Sequence, residues 1–267
     1  MTMEELVIMA PDGASIRSVE EWSEKAPPQG GAAHWKDGRS AKELARAWFR
    51  SGVAAVPAEL MSLLSSRDET RGARPTLALP ERITAFDGYG TGRHHDLVVV
   101  LQGAECGMWL AGIEAKADEP LGAMVISEYE HVRDRQKQGL ETNKADRIHD
   151  LVRGLFGRSL DDDPRLGQLR YQLLTAAAGT LVEAQNRKAV AGLLVIHELA
   201  RARSDGISQT QLAVSDFLGA LAGEQGLFTG VGVLHGPFAV PGGGRIPAQV
   251  PLYVALIRPT PLAQVCE

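Results

Sequence analysis

Asp96, Glu114 and Lys116 are the residues of this 267-residue chain whose types and spacing suit chemistry best. Glu114 and Lys116 stand two apart in the apolar run GMWLAGIEAKAD. Side chains alternate across a strand, so this pair shares one face, while Trp109, Ala111, Ile113 and Ala115 take the other. Leu110 and Gly112 lie on the Glu114 face, and the glycine leaves room there for another backbone or a ligand. A second apolar run, HDLVVVLQG, precedes the first across Gly103, Ala104, Glu105, Cys106 and Gly107, a length that suits a hairpin. The midpoint of Asp96 and Glu114 is residue 105, inside that turn, so hairpin pairing sets Asp96 about opposite Glu114. One Asp and one Glu with a backbone carbonyl are enough protein to hold a hard divalent ion such as magnesium, which keeps several waters. Such an ion polarises a phosphodiester and acidifies its bound water, and an adjacent lysine orients that water or neutralises charge developing on the phosphate.

The elements that must position these residues can be read around them. Lys25 to Arg39, rich in Pro and Gly, is a loop separating a short N-terminal segment (1–33) from a single core (34–267). Ser40 to Phe49 reads as a helix with Ser40 as N-cap, Glu43 as its capping-box partner and Gly52 past its end. A short helix follows at Pro57 to Leu64. Ser127 to Gly157 is helical, with a capping box at Ser127 and Glu130 and a break near Gly139, and Arg165 to Asn186 is one long helix on the stripe Leu166, Leu169, Leu173, Ala177, Leu181. AVAGLLVIHE is a buried strand, Ser208 to Ala222 a helix capped by Ser208, and GLFTGVGVLHG and VPLYVALIRP two more strands around PGGGRIP. The succession predicts an α/β (α+β) sheet flanked by helices.

Composition sets bounds. The chain is 44% hydrophobic, enough for one sizeable core, and its net charge of −5 gives no general sign of nucleic-acid binding, though a local basic groove can coexist with an acidic total. Cys106 and Cys266 are far apart and at no metal-ligand spacing, which favours a reducing, cytoplasmic setting over a disulfide framework. The first residues are acidic where a signal peptide is basic, and no apolar run approaches the roughly 18 residues of a membrane span. With aromatic content of 5% there are few platforms for a sugar-cleaving carboxylate pair, and no Gly-x-Ser-x-Gly elbow is present for a serine hydrolase.

The spacing from Asp96 to Glu114-Ala115-Lys116 resembles the PD-(D/E)xK superfamily of restriction-endonuclease-like nucleases. The texts HWKDGRSAKELARAWF, IEAKADEPLG and LRYQLLTAAAGTLVEA are also similar to an uncharacterised bacterial family described as restriction-endonuclease-like, from about His34 onward. The resemblance implies a restriction-endonuclease-like mixed sheet flanked by helices, and Mg2+- or Mn2+-dependent cleavage of nucleic acid, DNA ahead of RNA. It makes Asp96 and Glu114 the metal ligands and Lys116 the catalytic lysine, with phage defence as the setting and a homodimer or a defence complex as the assembly. The alternative is a silent nuclease-like scaffold or binding subunit. His95 stands where the motif has proline. Some members add a Glu from the preceding helix and a Gln or Lys from the following one, for which Glu43 and Gln172 are the candidates. Glu43 already has its capping reading, and Gln172 is far downstream. Asp118 and Glu119 are candidate extra ligands, and Lys144 and Arg147, one turn apart, candidate phosphate contacts on an otherwise solvated helix. For His34, Trp35, His94, His95 and the loop Asp87 to Gly92, packing roles are favoured over contact with substrate.

Overall fold

A computed structural model describes residues 6–50, 52–90, 92–103, 105–117, 119–199, 207–224 and 230–259. Asp118, Cys266 and residues 226–229 of the GLFTG segment lie outside them. In chain order the elements are β1 (Val7–Ile8), α1 (Val19–Lys25), α2 (Ser40–Ala47), β2 (Phe49–Arg50), β3 (Val53–Ala54), α3 (Ala58–Ser65), β4 (Arg74–Pro80), β5 (Ile83–Thr84), β6 (Arg93–His94), β7 (Leu97–Gly103) and β8 (Gly107–Lys116). They continue with α4 (Val125–Lys137), α5 (Lys144–Phe156), α6 (Tyr171–Asn186), β9 (Ala191–Glu198), α7 (Gln209–Ala222), β10 (His235–Phe238) and β11 (Leu252–Ile257).

The main sheet is mixed, in the order β1-β4-β7-β8-β9-β11-β10. The β4–β7, β7–β8 and β10–β11 pairs are antiparallel, and β1–β4, β8–β9 and β9–β11 are parallel. The parallel step from β8 to β9 needs a crossover, and α4, α5 and α6 supply it. Both faces of the central strands are buried, which is why they read as continuous apolar runs. Val98, Val100, Leu110, Leu194 and Ile196 pack under α5, α6 and α7. Leu97, Val99, Trp109, Ile113 and Val195 pack on the other side with α1, α2 and α3. This is the expected α/β class, a mixed sheet between two helical layers. Among the described residues no helix is long and apolar enough to cross a membrane.

Several boundaries differ from the expectations. The segment before His34 is no extension, because β1 pairs with β4 and Trp22 of α1 is buried in the same layer as Leu44 and Trp48. The helix expected from Arg165 is two pieces, a 3-10 turn at Pro164–Gln168 and then α6, with Leu169 and Arg170 extended between them. Asp163 caps that turn, and Val125 donates to the Leu169 carbonyl at 2.9 Å, so the break is held from both sides. Ser40 is the first residue of α2 and Arg39 its cap, and α4 starts at Val125 without a side-chain cap, so neither capping box forms. Ser208 does cap α7, accepting the Gln211 amide at 3.0 Å. Gly139, at φ 77°, lies between α4 and α5 where the break was expected. The last pair is antiparallel as read, although β10 is only His235–Phe238. The strand β4 and the small β5–β6 hairpin were not anticipated.

Candidate functional site

The β7–β8 ladder runs from Gly103↔Gly107 to Leu97↔Ile113. One step further places Asp96 opposite Glu114, as the midpoint argument required. Asp96 Oδ2 accepts the amide of Ala115 at 2.7 Å, which fixes its carboxylate against the Glu-x-Lys segment. On the other side Pro80 of β4 pairs with Leu97, so Glu81 follows opposite Asp96 and donates its amide to the Asp96 carbonyl at 3.3 Å. Glu81 adopts φ 52°, a conformation that a non-glycine residue pays about 1–2 kcal/mol to hold.

Glu114 and Lys116 are buried at 1% and 6% exposure. A buried carboxylate is tolerated only when paired and hydrogen-bonded. Glu114 meets this with three partners: Lys116 Nζ lies 2.7 Å from Oε1, Gln172 Nε2 donates to the same oxygen, and Arg93 Nη2 contacts Oε2. Gln172, far downstream in sequence, arrives because α6 begins at Tyr171 and packs on β8 and β9. Arg93 was not singled out in the sequence. Its signal is the step Arg93-His94-His95-Asp96, which β6 and the bend before β7 turn into a cation beside a carboxylate.

Glu81, Arg93, Asp96, Lys116, Glu119 and Gln172 line a cleft of about 760 Å³, from which Glu114 is reached only through its partners Arg93, Lys116 and Gln172. Trp35, His34 and Arg39 from the N-terminal loop and His94, Arg147 and Tyr171 complete much of it. Burial depresses the Lys116 ammonium and the Arg93 guanidinium below their usual ranges; Arg93 depresses Lys116 further, and Asp96 opposes both shifts. Burial, then the Asp96 carboxylate, pushes Glu81 up to about 8.

The remaining candidates separate. Glu119 lines the cleft, and its Oε1 accepts the Ser40 amide at 3.4 Å, so it also serves the start of α2. Glu43 does not line the cleft; its Oε1 accepts from Gly38 N at 2.9 Å and from Arg46 at 2.8 Å. Arg147 lines the cleft but pairs with Asp87 at 2.7 Å and lies over the Phe86 ring. Lys144 is paired with Glu128 and lies over the ring of the cleft residue Tyr171, without lining the cleft itself.

His95 faces inward and its Nε2 has no partner. Burial first, then the charges of Arg93, Arg82 and His94, holds it at about 3 against an ordinary 6.5. The unfolded chain therefore takes up this proton near 6.5 and the folded chain only near 3, so stability contributed by neutral His95 is lost as pH falls through that window. Glu81 acts in the opposite sense, its contribution being lost as pH rises from 4.5 toward 8. His95→Gln should remove the loss on the acid side and leave the Glu81 dependence unopposed, so relative to the wild type the variant should gain stability as pH falls from 7 to 5, as read by urea unfolding. Parallel dependences would show that His95 is not held neutral.

Among the described residues no group of three or more His, Cys, Asp or Glu side chains forms a ready metal cage. Magnesium needs only one or two carboxylates, and the Asp96 and Glu114 oxygens are hard donors, so the donor set fits the ion by its chemistry. Glu114 is engaged by cations and an amide in the structure.

Fold and site together define a mixed α/β protein with a carboxylate–lysine cluster at the end of a sheet hairpin. The chain belongs to the family described as "Domain of unknown function (DUF6946)", whose model matches residues 15–258. The match starts well before His34, in keeping with α1 as part of the core. No curated protein and no solved structure matches the chain.

Proposed function

We propose that this protein is a divalent-metal-dependent nuclease of the PD-(D/E)xK kind, hydrolysing phosphodiester bonds of nucleic acid, DNA before RNA. The observation that carries the reading is Asp96 opposite Glu114 at the end of an antiparallel hairpin, with Lys116 on the Glu114 face and Asp96 and Lys116 lining one cleft. Asp96 and Glu114 would hold Mg2+ or Mn2+, which supplies a polarised phosphate and an acidified water when bound. Lys116 neutralises charge developing on the phosphate, and Gln172 keeps Glu114 aimed. Arg39, Arg93 and Arg147 on the cleft walls give it local positive charge despite the acidic total, with Arg93 held to Glu114 and Arg147 to Asp87. Action in the cytoplasm, in phage defence and as a homodimer or complex subunit belongs to the same proposal.

A second reading, a non-cutting scaffold or binding subunit, is favoured by one observation: both oxygens of Glu114 are already taken by protein groups. The experiment that separates them is incubation of plasmid DNA, single-stranded DNA and RNA with the protein and Mg2+ or Mn2+, alongside Asp96→Ala. Metal-dependent cutting lost in the variant supports the nuclease and names its polymer. Cutting by neither protein, or equal cutting by both, sinks it.

A further inference from the structure

Glu114 divides its carboxylate unequally. Lys116 and Gln172 share Oε1, whereas Arg93 is the group on Oε2. Arg93 is held in the cleft by more than this contact, since the Asp96 carboxylate, and after it the Glu81 carboxyl group, also face its guanidinium. Its Nε is buried with no hydrogen-bond partner. The arginine thus sits with one donor unused, among the carboxylates that a divalent cation would seek. A buried Glu114 needs a positive charge near it whether or not metal is bound, because an uncompensated buried carboxylate is strongly unfavourable.

We propose that Arg93 is a positioning residue that takes the cation's place on Glu114 Oε2 and yields it when a divalent ion enters, an inference that rests on the metal-dependent reading above. Release of Oε2 is the smallest change that frees Glu114, because one contact is given up and Lys116 and Gln172 stay in place. The released guanidinium keeps its full charge and planar donor fork, which suit a phosphate oxygen pair better than an ammonium does. Arg93 and the ion then compete for one carboxylate, so apparent metal affinity is lowered by the cost of release.

Competition has a sign that a merely structural arginine lacks. Calorimetric titration of the full chain with Mn2+ should show Arg93→Gln and Arg93→Met binding about tenfold or more tighter than wild type. Arg93→Lys, which keeps a charge to compete, should stay near wild type. Asp96→Asn, at a ligand position, should bind about tenfold or more weaker. In the unaltered protein, Mn2+ should increase modification of Arg93 by phenylglyoxal, read by mass spectrometry, which tests release without any substitution. If Asp96→Asn weakens binding while Arg93→Gln and Arg93→Met bind no tighter, or if Mn2+ fails to increase labelling of Arg93, the arginine is not a stand-in and the metal site survives. If no variant and no wild-type protein binds Mn2+, or Asp96→Asn binds as the wild type does, the metal-dependent reading falls and this inference with it.

Discussion

Lys116→Ala is expected to lower metal-dependent cleavage by about 10²–10³-fold, the range found when one preorganised charge stabiliser is removed from a transition state. The loss should fall on kcat more than on KM, since the lysine acts on charge that develops only as the phosphodiester breaks. The variant is interpretable because the fold around it is over-determined. Removing the ammonium leaves Glu114 with Arg93 and Gln172, so the buried carboxylate still has both oxygens engaged. The structural cost should therefore lie below the roughly 3–5 kcal/mol of a buried pair broken outright. Single-turnover cleavage at saturating Mg2+, with circular dichroism as the check on folding, measures it. Activity equal to wild type in a folded variant would remove Lys116 from the chemistry.

What the sequence disclosed follows from which interactions are local. The β7–β8 hairpin was legible because its turn is short: a three-residue connection between Gly103 and Gly107 leaves little choice of register, so the opposition of Asp96 and Glu114 could be worked out by counting. The partition of Trp109, Ala111, Ile113 and Ala115 from Leu110, Gly112, Glu114 and Lys116 needed only strand alternation, and Trp109, Ile113 and Leu110, Val98 do lie in opposite layers. By contrast β4 was hidden, since Pro75 and Pro80 bracket a short alternation and prolines argue against a strand. With β4 missing, Glu81 had no place, because only the pairing Pro80↔Leu97 brings it to Asp96. Gln172 was named only through the family resemblance, with its distance in sequence against it, and Arg93 was missed, for related reasons. One reaches Glu114 through a crossover that closes a separation of 58 residues, and the other through a bend between β6 and β7 that no periodicity encodes. Glu43 shows the converse error: a side chain with a plausible local role found a different local one, accepting from Gly38 and Arg46.

Gly112→Ala is expected to destabilise the protein by about 1–3 kcal/mol, although alanine ordinarily suits a strand better than glycine does. Gly112 sits at the centre of the sheet, paired with Val98 on one side and Leu194 on the other. A Cβ there would lie 2.1 Å from Thr180 Oγ1 and 3.2 Å from Thr180 Cβ, and 3.4 Å from His95 Nδ1. Thr180 is fully buried on α6, with its hydroxyl donating to the Ala176 carbonyl at 2.8 Å. Rotating that side chain away breaks this bond inside the core, and backing α6 off the sheet opens space beneath it. The second response also withdraws Gln172, two turns nearer the start of the same helix, from Glu114. The room predicted at Gly112 for an approaching group is thus filled by a helix, and the glycine sets how closely that helix carries Gln172 to the site. Thr180→Ala removes the oxygen at 2.1 Å but not the Cβ at 3.2 Å, so it should recover part of the loss. The double variant should then be more stable than the two single costs added, with a coupling of about 1 kcal/mol or more in urea unfolding. Strict additivity, or a Gly112→Ala protein as stable as wild type, would show that the sheet and α6 have slack at this point and that the glycine does not govern the approach of Gln172.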